Sequence, residues 1–192
     1  MIRAGCMENP KVDYVIGLHV QPYLPCGVIE TRYGVLNGSS DIMHIRIKGK
    51  AAHGAYPEQG TDAILIAGHV ITALQSITSR NVSPLDSVVL TIGSIKGGVK
   101  ENIIAEEVTM TGTLRTINPV TRSKVKERVK KIVETICVSF GGEGEVEFES
   151  GYDALVNTDE VVDVILETAR EVLGENSCIL KEKPSLGVED FS

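Results

Sequence analysis

The chain has 192 residues, 42% of them hydrophobic and 23% charged, with 19 glycines, a composition that excludes collagenous and low-complexity classes. A formal net charge of −7 leaves no broad basic field, so nucleic acid is not expected as a partner. No run approaches the roughly 20 apolar residues that span a bilayer. The first residues carry no signal-peptide core, and Cys6, Cys26, Cys137 and Cys178 form no Cys-x-x-Cys pair. A cytoplasmic protein with reduced thiols and no membrane partner is therefore expected.

In chain order, the first part holds an apolar run from Val12 to Val20 and a turn-rich stretch with Pro22, Pro25 and Gly27, which reads as a buried strand and an exit loop. From Ile42 to Ile47, Met43, Ile45 and Ile47 alternate with His44 and Arg46, the pattern of a half-buried strand. Thr61 and Asp62 start a helix expected through about Ser79. Its buried stripe is Ala63, Ile66, Ala67, Val70, Leu74 and Ile77, three or four residues apart. Two runs rich in β-branched residues, Ser87 to Ile95 and Val108 to Thr116, predict an antiparallel pair with a long connection.

Asn118-Pro119 supplies an N-cap and a first-turn proline for a second helix to about Phe140, and Gly141-Gly142 stops it before a strand at Val146 to Phe148. Within that helix the basic run from Lys124 to Lys131 reads as a solvated face, because Val125, Val129, Ile132 and Val133 recur beside it at helical spacing. The order is βαββαβ, a ferredoxin-like two-layer α+β sandwich. A helix from about Asp159 to Leu173, a short strand near Cys178 to Leu180 and the loop Gly187-Val188-Glu189-Asp190-Phe191 follow. Flanks that each lack elements for a core of their own imply that the sandwich, residues 38–149, is inserted into an incomplete α/β domain made of residues 1–37 and 150–192.

Four residues could carry chemistry. His19 ends the first apolar run, where scaffolds hold metal ligands, although a lone histidine there also reads as a hydrogen-bonded core residue. His53 lies among small residues in Gly49-Lys50-Ala51-Ala52-His53-Gly54-Ala55-Tyr56-Pro57; it is either a polar turn residue or an imidazole presented to a developing oxyanion. Asn102, after Gly97-Gly98, offers donors and an acceptor to a carboxylate or amide, and is also an ordinary turn residue. Arg115 could clamp a carboxylate or pair with an acidic neighbour. Glu189 and Asp190 are adjacent, point differently in extended chain, and read as capping or supporting groups rather than ligands.

Gly17-Leu18-His19-Val20, Ile47-Lys48-Gly49-Lys50-Ala51-Ala52-His53-Gly54-Ala55, Asn102-Ile103-Ile104, Gly112-Thr113-Leu114-Arg115-Thr116 and Gly187-Val188-Glu189-Asp190-Phe191 together resemble one family across nearly the whole chain. It is the family of metal-dependent amidohydrolases that includes hippurate hydrolases, bacterial aminoacylases and plant auxin-conjugate hydrolases. The resemblance implies a zinc-peptidase-like catalytic domain with two divalent metals (zinc, manganese or cobalt), interrupted by a βαββαβ dimerisation or lid domain. His19 matches a metal-ligand histidine. His53 matches the lid histidine that reaches the partner subunit's active site in a homodimer and stabilises the tetrahedral intermediate. Asn102 matches a residue holding the substrate across the dimer, and Arg115 a motif with a structural or substrate-binding role.

The implied reaction is attack of a metal-bound hydroxide on the amide carbonyl of an N-acyl amino acid. This chain begins after the family's Cys-Gly-His-Asp motif and paired glutamates and stops before its last metal-binding histidine, so by itself it is expected to hold no catalytic metal and to be inactive. Glu58, where a histidine is frequent, and Ala105, where a proline follows the Asn-Ile-Ile motif, also depart from the family pattern. The competing reading is a non-catalytic dimerisation or small-molecule-binding module.

Overall fold

The computed structural model describes residues 2–192. Its elements in chain order are β1 (Ile29–Thr31), β2 (Gly34–Asn37), β3 (Ser39–Lys48), β4 (Ala52–His53), α1 (Ala63–Ser76), β5 (Val88–Gly97), β6 (Ile103–Ile104), β7 (Glu107–Thr116), α2 (Pro119–Ser139), β8 (Glu143–Ser150), β9 (Leu155–Asn157), α3 (Asp159–Leu173) and β10 (Cys178–Leu180). They fall into two compact units. One gathers the chain up to Leu36 with Val156–Lys183 and Phe191, and the other Asn37–Leu155 with Pro184–Asp190 and Ser192.

The second unit is built on a four-stranded sheet in the order β5-β7-β3-β8, antiparallel throughout. With α1 between β3 and β5 and α2 between β7 and β8, this is the βαββαβ sandwich that the periodicity predicts. Alternation in β3 sends Met43, Ile45 and Ile47 inward, where they meet Val108, Met110 and Leu114 of β7, Ile66, Val70 and Leu74 of α1, and Val125, Val129 and Val133 of α2. Burying one such side chain contributes about 1.5–3 kcal/mol, so this single cluster is the main source of the unit's stability. The outward face of the sheet is charged, with Arg46 on Glu107 at 2.6 Å and Lys48 on Glu145 at 2.8 Å. In the central strand β7, a Cβ on Gly112 would sit 2.3 Å from the Thr91 carbonyl oxygen and 3.0 Å from Met43 Cε. Only glycine fits so close an approach.

Both sandwich helices start as their sequences predict. The Asp62 carboxylate accepts from the Ile64 and Leu65 amides at 2.9 and 3.1 Å, and the Asn118 side chain accepts from Val120 at 2.9 Å just ahead of Pro119. Each satisfies amides that the helix itself cannot pair. The first helix departs from expectation at its end. Instead of running as regular α-helix to about Ser79, it stops at Ser76 and continues as a π-helix over Ile77–Asn81. Hydroxyls of Ser76, Thr78 and Ser79 donate back to the Ala73 and Gln75 carbonyls, competing with the regular ladder and widening it.

The basic run of α2 is only partly a solvated face. Lys124, Arg128, Lys130 and Lys131 are exposed, but Lys126, together with Arg122 one turn ahead of the run, reaches inward to Asp41, whose side chain is 0% exposed. Arg122 donates to both Asp41 oxygens at 2.7 and 2.8 Å, and Lys126 Nζ donates at 2.6 Å. Arg122 also bonds the exposed Asp153, and the Lys126 ammonium lies 5.4 Å from the Phe148 ring centroid. Burial pushes the Asp41 carboxyl up, but the hydrogen bonds from Arg122 and Lys126 outweigh it and hold the group below the usual carboxylate range.

In the first unit β1 pairs in parallel with β10, and α3 buries Val162, Leu166 and Ala169. The predicted buried strand over residues 12–20 does not form. That stretch has no regular secondary structure, and Tyr14, Val15, Ile16, Leu18 and Val20 are between 53% and 86% exposed. An apolar run becomes a strand only where neighbouring strands take its amides and carbonyls, and among the described residues none pairs with it. No described helix is long and apolar enough to cross a membrane.

Candidate functional site

The apex that carries His53 is built by backbone closure. Lys50 and Thr61 exchange two hydrogen bonds, each 2.9 Å, and so pinch residues 51–60 into a closed loop. Within it the Tyr56 amide donates to the His53 carbonyl at 2.8 Å, and the Gly60 amide to Pro57 at 3.2 Å. The two-residue strand β4 then pairs with β6, Ala52 opposite Ile104 and His53 opposite Ile103. The Gly54 amide extends this ladder to the Asn102 carbonyl at 2.8 Å, an approach so close that a Cβ on Gly54 would lie 3.2 Å from that oxygen. His53 and Asn102, 49 residues apart in the numbering of the chain, thus stand side by side on one small ladder.

The imidazole of His53 is exposed, and its Nδ1 accepts a hydrogen bond from the Ala55 amide at 3.1 Å. With Nδ1 accepting, the ring nitrogen left to donate is Nε2. The Tyr56 ring lies beside it, with centroids 5.9 Å apart and planes at 51°. Sequence reasoning did not single out Tyr56. The available signal was a large aromatic residue in a loop of otherwise small and polar ones, directly ahead of Pro57. Behind the apex, Ala105 is 3% exposed and its carbonyl takes the first amide of α1, from Ala63, at 3.1 Å.

Arg115 is not part of this apex. It lies at the other end of β7 from Glu107, roughly 26 Å along the strand at about 3.3 Å per residue. There it donates to the Leu186 carbonyl at 3.2 Å, and Gly38 donates to Gly187 at 3.1 Å, so the segment Pro184–Asp190 is tied to the sheet by both. His19 lies in the irregular stretch over residues 12–20, in the other unit. Among the described residues no three His, Cys, Asp or Glu side chains converge as a metal site. The described residues therefore do not by themselves fit a bound catalytic metal, which takes about three protein ligands.

The second unit is thus a two-layer βαββαβ module that carries His53 and Asn102, both exposed, at one apex. The family described as the peptidase dimerisation domain matches residues 38–140, more than half of the chain, and the chain belongs to this M20 peptidase family. A protein of Synechocystis sp. named as a probable hydrolase is 38% identical over 192 residues, covering 100% of this chain and 48% of its own length. The N-acetyldiaminopimelate deacetylase of Bacillus cytotoxicus is 37% identical over 191 residues, covering 100% of this chain and 50% of its own. Among solved structures, the Bacillus subtilis YXEP protein, described as a dinuclear metal binding peptidase from the M20 family, superposes with a TM-score of 0.76 at 28% identity over 99% of this chain and 46% of its own. The chain spans about half the length of the relatives it matches.

Proposed function

We propose that this chain forms the dimerisation lid, residues 38–149, and adjoining catalytic-domain segments, residues 1–37 and 150–192, of an enzyme that hydrolyses the amide bond of N-acyl amino acids. In this reading the protein is a cytoplasmic homodimer joined through its lids. His53 of one subunit reaches the active site of the other. Its Nε2–H donates to the oxygen of the substrate amide as negative charge develops there, while Asn102 holds the substrate by its side-chain amide. Arg115 has a supporting role, since its guanidinium already serves the Leu186 carbonyl. His19 is one ligand of the metal centre, and a chain with that ligand alone is inactive.

The observation that carries the reading is the Ala55 amide on His53 Nδ1. With Nδ1 taken by the backbone, Nε2 is the ring nitrogen left to donate, and a preorganised donor aimed at the oxyanion is where such sites gain most of their rate. The test is His53→Ala in the full-length enzyme, assayed on N-acetyl amino acids with zinc, manganese or cobalt. Loss of one oxyanion donor lowers kcat about 10²- to 10³-fold, with a small change in KM. A variant that keeps kcat would remove His53 from the reaction.

A further inference from the structure

We propose that Asp153 is a positioning residue: paired with Arg122, it clamps the chain where it leaves the sandwich and so steadies the direction in which the His53 apex points. The inference rests on the reading of His53 above and deepens it. The chain enters the sandwich through β2 and β3 and leaves it through β8 and β9. Entry and exit lie side by side in two ladders, β3 on β8 and β2 on β9. The first ladder closes with the Gly151 amide on the Ser40 carbonyl at 3.0 Å and the Ser40 amide on the Tyr152 carbonyl at 2.9 Å. The exit strand of the second begins only at Leu155. Asp153 and Ala154 belong to neither ladder and have no regular structure, and a few such residues between elements are where a joint bends.

A side-chain pair bridges this joint. The Asp153 carboxylate is bound by the Arg122 guanidinium, whose side chain is only 13% exposed and whose other nitrogens hold the buried Asp41 carboxylate of β3. One fixed arginine thus holds the first strand of the sandwich and the exit chain together. Asp153 itself is 83% exposed, so the pair adds little to stability, and its effect falls on geometry. The leverage is large. Seven residues of β3 separate Asp41 from Lys48, about 23 Å at roughly 3.3 Å per residue, and the His53 apex lies beyond Lys48. A turn of about 5° at the joint moves a point that far away by about 2 Å, and a misplacement of about 1 Å can cost on the order of 10²-fold in rate. An exposed ion pair biases the balance between a clamped and a loose joint by up to about fivefold, which sets the scale of the effect on turnover.

Kinetics of the full-length enzyme on N-acetyl amino acids test this, with Asp153→Ala and Asp153→Glu, each alone and combined with His53→Ala. The expected result is that Asp153→Ala lowers kcat by up to about fivefold with KM little changed, and that Asp153→Glu, which keeps the carboxylate, recovers the loss. In the His53→Ala background Asp153→Ala has no further effect, because a residue that acts by placing His53 has nothing left to place. An unchanged kcat, or the same loss with and without His53, overturns the proposal. If the wild-type enzyme hydrolyses no N-acetyl amino acid, the amide-hydrolase reading itself fails, and the clamp is decided by amide hydrogen exchange. Faster exchange at Ser40 and Gly151 in Asp153→Ala, with Ile64 at the start of α1 unchanged, supports it; unchanged exchange at Ser40 and Gly151 refutes it.

Discussion

Replacing Arg122 by alanine isolates the one fully buried charge in the sandwich. Asp41 has no exposed side-chain surface and takes three hydrogen bonds from two cations. The substitution removes two of the three and leaves Lys126. Breaking a buried pair from one side costs about 3–5 kcal/mol, and the surviving lysine places this case near about 3 kcal/mol, a large part of an ordinary domain's 5–15 kcal/mol, roughly. The assay is urea unfolding followed by far-UV circular dichroism, since the chain has no tryptophan; a midpoint lower by about 1–2 M is expected. Asp153→Ala is the control, because Asp153 is 83% exposed and surface pairs contribute about 0–1 kcal/mol.

The pH dependence follows from the depressed Asp41 carboxyl. The folded state keeps this group ionised to lower pH than the unfolded chain does. Its stabilisation is therefore complete above the unfolded value, about 3.9, and is lost as pH falls through the lower folded value. Arg122→Ala should flatten that acid limb. A cost below about 1 kcal/mol, or an Asp153→Ala variant as damaged as Arg122→Ala, would refute the assignment of the buried carboxylate as the source.

Two further substitutions probe the fold. Asp62→Ala removes the acceptor for two amides at the start of α1 and should cost about 1 kcal/mol by calorimetry, with Asp62→Asn recovering most of it. Gly112→Ala forces a methyl onto the Thr91 carbonyl in the central strand and should cost about 2–3 kcal/mol, lowering the thermal midpoint by roughly 5–10 °C; an unchanged midpoint would mean that the strand shifts freely there.

What the sequence makes legible follows the range of the forces involved. Helix starts at Asp62 and Asn118, and the alternation of Met43, Ile45 and Ile47, are local signals and are found where predicted. The ladder of β4 and β6 was not legible, because two-residue strands have no period to detect and are held by the closed loop around them. The Asp41 cluster left a readable trace. Asp41 shares the inward parity of Met43, Ile45 and Ile47, and an acid on a core face demands cations, which the inward side of α2 supplies. The run over residues 12–20 misled because apolar character records a tendency to be covered, and pairing depends on strands that the run itself does not encode.

The first and last strands of the sandwich are neighbours. β3 and β8 pair with Asp41 opposite Ser150, so the chain enters and leaves the module at points about 5 Å apart. To a host domain, such a module resembles a single long loop with nearly touching ends, and the host gives up little closure entropy to accommodate it. The sandwich also carries its own core. In its connections it is a portable part, with both ends at one place and the His53 apex carried along with it.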